Sequence, residues 1–158
     1  MKSLMLLGVA ALSLFAQETQ TRVVGTKTLQ DTPARMVNDG IKAYKDESYS
    51  NAFTQFSSAV KELESFKTKN SEDLPEKYRK SGEIETTLSV AAKLAGKAAA
   101  KANKSADAET YFKKSIAADV NNADAFYEFG DFYSDIKKSK EAEEMLGSCL
   151  TVAAKQME

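Results

Sequence analysis

A 34-residue echo constrains this chain more than any other feature. Gly96 is followed 34 residues later by Gly130. Ala108 and Ala142 stand twelve residues after these glycines, and Phe112 and Leu146 sixteen after. An upstream copy starts at Gly40, with Ala52, Phe56 and Ala59 at offsets of twelve, sixteen and nineteen. A period of this length, with small and large apolar residues at fixed offsets, is the mark of stacked helical hairpins. One such hairpin cannot bury its apolar face, whereas a stack of several closes a core. Chains of this kind usually hold other proteins and rarely do chemistry. The pattern therefore bears on the class of function and leaves the partner open.

Composition narrows the class. The 158 residues suffice for one domain with a real core, and seven glycines and two prolines leave room for long helices. A formal charge of -1 argues against a general affinity for nucleic acid or anionic membrane. Arginine, the residue best suited to bidentate phosphate contacts, occurs only at Arg22, Arg35 and Arg79. There is no histidine, which removes the usual general base and the commonest metal ligand. The lone Cys149 cannot form an internal disulfide. It falls nineteen residues after Gly130, in the slot that Ala59 fills upstream. A buried structural thiol is its plain expectation; an intermolecular disulfide or a reactive thiol is the alternative.

The N-terminus reads as a targeting signal over residues 1–16. Lys2 gives a short positive region, and Leu4 to Ala16 is an apolar run of thirteen residues, too short for a bilayer span but right for a signal-peptide core. Cleavage is expected after Ala16, with Ser13 as the fallback. No cysteine ends the run, which argues against a bacterial lipoprotein anchor. The mature chain is expected in a periplasm or secreted, without a stable membrane span. Residues 17–32 lack helical periodicity and read as a flexible tether.

Helical signals then follow one another. Asp31-Thr32-Pro33 caps a helix from about Pro33 to Lys45. After a turn at Asp46-Glu47-Ser48, a second helix runs from about Tyr49 to Phe66, with Phe53, Phe56, Ala59, Val60 and Leu63 on one face. The polar segment 67–75 ends on the start signals Ser71 and Pro75. Residues 67–88 form an insertion of 22 residues relative to the period, expected to lengthen the next helix by several turns although Gly82 weakens it. The remaining helices are expected over Leu88–Asn103, Ser105–Asp119, Ala123–Ile136 and, capped by Ser139, to about Lys155. The repeats are thus 33–66, 89–122 and 123–156.

This pattern resembles the tetratricopeptide repeat, a family built from antiparallel helix pairs of 34 residues. The third copy carries the family's apolar and small positions as Phe126, Phe129, Gly130, Tyr133, Ala142 and Leu146, with Cys149 in place of alanine. The first offers Gly40, Tyr49, Ala52, Phe56 and Ala59, with its aromatic one place late at Tyr44. The second keeps Ala95, Gly96, Ala108 and Phe112, with Ala99 for the aromatic and Ser115 for the last alanine. The proline that usually ends each unit is missing throughout. The resemblance spans about residues 33–156 and implies an all-α fold, a right-handed superhelical stack of about three antiparallel helix pairs.

It also implies a concave groove lined by the first helix of each pair. Carried over position by position, the groove residues are Val37, Ile41, Tyr44 and Lys45, then Lys93, Lys97, Ala100 and Lys101, then Asp124, Tyr127, Asp131, Ser134 and Asp135. The charge pattern is visible without the family. Residues 89–104 hold Lys93, Lys97, Lys101 and Lys104 with no acid, and residues 123–136 hold Asp124, Glu128, Asp131 and Asp135 with no base. Spacings of three and four put most of each set on one helix face. Either the two sets make a bipolar groove for a charged peptide or protein terminus, or the helices are neighbours that neutralise each other or are simply solvated. Some family members clamp a carboxyl-terminal peptide with lysine and asparagine; the acids of the third copy argue against that clamp here.

In the last helix Ala142, Met145, Leu146, Cys149, Leu150 and Ala153 form one stripe, with Glu141, Glu144, Ser148 and Thr151 facing away. This predicts a polar end to the stack that needs no seventh helix, and a monomer or weak homo-oligomer. The functional expectation is a non-catalytic interaction module or scaffold outside the cytoplasm that binds a peptide or protein segment, with no cofactor, no metal and no nucleic acid. Pairs such as Glu143-Glu144 or Asp131 with Asp135 lack a nucleophile, base or metal beside them, which opposes an enzyme. The alternative is a helical-repeat protein that binds a small molecule or lipid in an apolar pocket.

Overall fold

The computed structural model of the chain describes residues 32–157. The leader read over 1–16, the tether up to Asp31 and the Asp31 cap lie outside the described residues. Among the described residues the protein is all-α, with six α-helices and no strand. They are α1 (Thr32–Lys45), α2 (Tyr49–Phe66), α3 (Glu83–Lys101), α4 (Ser105–Ala118), α5 (Ala123–Asp135) and α6 (Ser139–Lys155). α3 packs on both α2 and α4, α5 packs on α6, and α5 also touches α3 and α4. No described helix is long and apolar enough to cross a membrane.

The turns within the three hairpins are the same structure. Each contains one residue in the left-handed region, at Glu47 (φ 56), Asn103 (φ 60) and Lys137 (φ 61). Each of these stands seven residues after its copy's glycine. The next amide reaches back five residues, from Ser48 to Ala43 (2.9 Å), Lys104 to Ala99 (2.8 Å) and Lys138 to Tyr133 (2.8 Å). The left-handed residue itself donates to Tyr44, Ala100 and Ser134 at 3.1, 3.1 and 3.0 Å. This pair of bonds is the Schellman motif, which satisfies carbonyls that a helix end leaves without partners. Only the middle copy uses asparagine, a residue that tolerates this backbone; Glu47 and Lys137 adopt it against a Cβ penalty.

The glycines explain how the helices of a pair come so close. A Cβ built on Gly40 would lie 2.6 Å from the Phe56 ring, on Gly96 2.9 Å from Phe112, and on Gly130 2.8 Å from Leu146. On the facing helix Ala52 and Ala108 are fully buried and Ala142 nearly so. The large residue of one helix thus drops onto bare backbone of the other, three times in the same register. Phe112 then stacks on Phe129 (5.2 Å) and meets Phe132 (5.6 Å), while Phe129 stacks on Tyr133 (4.3 Å). This aromatic cluster, where rings add to simple area burial, welds the second hairpin to the third.

The insertion departs from expectation. The start signals at Ser71 and Pro75 give two single 3-10 turns, Ser71–Asp73 and Glu76–Arg79, and α3 begins at Glu83 instead of Leu88. Leu74, ahead of Pro75, is held extended (φ -92, ψ 148), as the proline ring requires. Gly82 takes φ 84, a conformation side chains resist, and its carbonyl accepts from the Thr86 amide at 2.9 Å to start α3. Glu83 and Glu85 in the first turn complement the helix dipole. The segment is packed: Tyr78 is buried against Phe66 (5.2 Å) beside Leu74 and Leu88. Arg79 Nε donates to the Leu74 carbonyl at 2.9 Å. Residues 67–82 therefore cap the crevice between α2 and α3.

A polar device takes the place of the alanine expected at offset nineteen in the second copy. Ser115 is fully buried and its hydroxyl donates to the Ser89 carbonyl at 2.7 Å. The Asn122 amide donates to Ser89 Oγ (2.9 Å) while its Oδ1 accepts from the Ala125 amide (3.1 Å), capping α5. Ser139, expected as a cap, is instead the first residue of α6, and Lys138 precedes it without a side-chain cap.

Two outcomes follow from this packing. Gly96→Ala should lower unfolding free energy by about 1–2 kcal/mol despite alanine's better helix propensity. Adding Phe112→Ala, which removes the ring that the new Cβ meets, should cost less than the sum of the single changes, read from urea midpoints at constant slope. Lys137→Gly should stabilise by about 0.5–1 kcal/mol because it removes a left-handed side chain, and the same assay shows it as a raised midpoint.

Candidate functional site

Two of the three lysines of α3 are paired. Lys93 forms an ion pair with Asp124, and Lys97 with Glu128, both across to α5. Residues four apart lie one above the other on a helix, so the two pairs make parallel rungs between neighbouring helices. Of the two expectations for the charge pattern, neighbours that neutralise each other is the one these rungs realise at Lys93 and Lys97. Lys104, the last base of the set, sits over the Phe53 ring at 4.8 Å from its centroid.

Lys97 is the centre of this arrangement. Partial burial pulls its ammonium toward a lower pKa, but the hydrogen bond and charge of Glu128 outweigh that, helped by Tyr44 and Asp124, and the net shift is upward. Tyr44, Lys97 and Glu128 thus come from α1, α3 and α5 to one neighbourhood. Tyr44 itself is half-buried, edge-on to Tyr49 at 5.2 Å. Val37 and Ile41 are half-buried too, packed on the core shared by α1, α2 and α3.

The other residues expected in a groove lie in the open. Lys101, Asp131 and Asp135 are exposed and form no salt bridge among the described residues. Tyr127 is 52% exposed. Of the further positions carried over, Lys45, Asp124 and Ser134 are exposed and Ala100 is half-buried. The expected residues divide accordingly: an apolar, half-buried patch on α1, a neutralised pair of rungs on α3, and an aromatic-acidic surface on α5.

Other charged clusters serve the packing. Glu109 accepts from Lys113 (2.7 Å) and Lys138 (3.2 Å), and the Lys113 hydrogen bond chiefly holds its carboxyl below the usual range. Burial, with Glu109 close by, pushes the Tyr133 hydroxyl up to about 12. Lys114 of α4 forms an ion pair with Glu64 of α2. Among the described residues no group of three or more His, Cys, Asp or Glu is placed to hold a metal ion.

Among the described residues, clefts open at two places on the surface that bear on the site. One, of about 570 Å³, is lined by Phe126, Gly147 and Val152 with Glu143, Glu144, Ser148 and Thr151 at its edge. The other, of about 360 Å³, lies over the insertion, between Phe66, Tyr78 and Ile84, with Lys67, Arg79 and Lys80 around it. Compared with known proteins, the chain matches no family model and no curated protein.

The sequence pattern supplied both halves of the rungs but not their pairing. The buried Ser89–Ser115–Asn122 network went unforeseen; its signal was Ser115 standing where the other copies carry alanine or cysteine.

A double-mutant cycle on Lys97→Ala and Glu128→Ala should give a coupling of about 0.5–1 kcal/mol. The Lys97 pKa is raised in the folded state, so this stability is complete below the ordinary lysine range and disappears as pH rises through the raised value. Denaturant midpoints of the four proteins at neutral and strongly alkaline pH test both statements.

Proposed function

We propose that this protein is a non-catalytic protein–protein interaction module, a tetratricopeptide-like right-handed stack of three helix pairs that acts outside the cytoplasm. The observation that carries this reading is the repetition of one hairpin three times, down to the left-handed residue and its two hydrogen bonds. Stacked identical hairpins put their first helices side by side, and such a surface suits an extended or helical segment of another chain. The bound segment lies along α1, α3 and α5. It packs apolar groups against Val37, Ile41 and the Tyr44 edge, and it meets Lys101 at one end of α3. Lys93 and Lys97 act in this reading as the braced floor of the surface, since Asp124 and Glu128 already hold them. Export rests on the apolar run from Leu4 to Ala16 behind Lys2. Tyr127, Asp131 and Asp135 give the far end of the same surface an acidic, aromatic character.

The test uses the chain expressed with its own leader in the source cell and tagged at the C-terminus. N-terminal sequencing of the exported form should begin near Gln17. Crosslinked partners should be recovered with the wild type and lost from a Tyr44→Ala/Lys101→Glu variant whose circular dichroism and melting are unchanged. Recovery that is indifferent to this variant would refute binding along α1 and α3. Retention of the intact leader inside the cell would refute export.

A further inference from the structure

The three hairpins offer an internal control, because the same position can be compared where a following helix covers it and where, among the described residues, none does. Val60 of α2 is 1% exposed under α3. Its counterpart Ile116 of α4 packs on the core shared with α5. Leu150 of α6, the third member of the set, is 73% exposed. The slot of Ala59 and Ser115, fully buried in the first two copies, holds a half-buried Cys149 in the third. The expectation of a polar end that needs no further helix is corrected here: the stripe that the sequence turned inward is only half covered, because among the described residues α6 has a neighbouring helix on one side and none on the other.

The same register says what the missing neighbour looks like. The helix that follows each hairpin buries residues spaced four and three apart. These are Ala91, Ala95 and Ala98 in α3, and Ala125, Phe129 and Phe132 in α5. The residue just before the middle of the latter set is Glu128, which Lys97 of the preceding hairpin holds. In the third hairpin the position of Lys97 is taken by Asp131, which is exposed. The sign at that contact is reversed, so an incoming helix must carry a base there. The position of Lys93 is taken by the exposed Tyr127, an apolar surface that also accepts a cation on its face.

A second copy of this chain does not satisfy these requirements. At the other end of the stack, α1 presents Arg35, Asp39 and Lys42 at the corresponding positions. All three are exposed, with Arg35 and Asp39 paired at 3.5 Å. Burying them against Leu150 would strip the Arg35–Asp39 pair and the Lys42 ammonium of water with no further partner there to offset the cost.

We infer that the open end formed by α5 and α6 is a docking surface for an amphipathic helix of a different protein. That helix carries apolar residues spaced four and three apart and a lysine or arginine immediately before the middle one. The inference rests on the repeat register; it shares Tyr127 and Asp131 with the surface proposed above but not Val37, Ile41, Tyr44 or Lys101, so the Tyr44→Ala/Lys101→Glu variant should leave this peptide's binding unchanged.

The experiment uses the full, untagged chain and a labelled helical peptide of about fifteen residues built to this pattern, with a twin in which the base is replaced by glutamate. Fluorescence anisotropy should show the basic peptide binding at least about tenfold more tightly than its twin. Leu150→Asp, at an exposed position the fold tolerates, should weaken binding of the basic peptide by about tenfold or more. Asp131→Lys should reverse the preference between the two peptides. Equal binding of both peptides, binding unaffected by Leu150→Asp, or no binding at all would overturn the inference. So would concentration-dependent dimers in sedimentation that Leu150→Asp abolishes, because a second copy would then be the occupant.

Discussion

The contact on which the rest depends is that of a large side chain with the bare backbone of a glycine across each hairpin. Phe56 on Gly40, Phe112 on Gly96 and Leu146 on Gly130 set how near the two helices of a pair can lie. That separation decides where the neighbouring hairpin can rest, because interiors are close-packed and tolerate little slack. It also puts the alanines at offset twelve in full contact. The turn then has little freedom, and three different sequences adopt one backbone at Glu47, Asn103 and Lys137. Local cost at the turn is offset by burial along the helices.

Hairpins are joined in two distinct ways. Between the first two, apolar residues dominate: Val37 and Ile41 share a core with Ala95, Ala98 and Leu94. Between the second and third, rings fill the interior while ion pairs run along the edge at Lys93–Asp124 and Lys97–Glu128. Half-exposed pairs of this kind contribute little to stability. They do fix which helix lies beside which, because a register slipped by one residue would face Lys93 and Lys97 with alanine, tyrosine or phenylalanine of α5. The buried serines act in the same direction, tying α3, α4 and the start of α5 by bonds that only one arrangement satisfies.

The lack of symmetry between the two ends links packing to function. One end displays Arg35, Asp39 and Lys42, and the other displays Leu150 with Cys149 and Leu146 half covered. A stack that is polar at one end and apolar at the other has a direction, and two copies would not meet at like surfaces if joined end to end. The packed insertion over residues 67–82 adds a further surface beside α2 and α3, away from both.

Most of the fold was legible in the sequence because the governing contacts are periodic and local. The 34-residue spacing located the hairpins, and the helix bounds at Tyr49–Phe66 and the helix end at Lys155 agree with the structure. Residues 71–79 were not legible: serine and proline signal a helix start and a 3-10 turn alike, and the choice fell to Tyr78 finding Phe66. The lysines and acids were visible as two sets, but whether they faced a ligand or each other depended on the separation of α3 and α5, which no single helix encodes. Leu150 marks the same boundary. Its place on the apolar stripe of α6 is a property of the sequence, whereas its exposure depends on which helices pack beside α6, and burial belongs to the assembled neighbours.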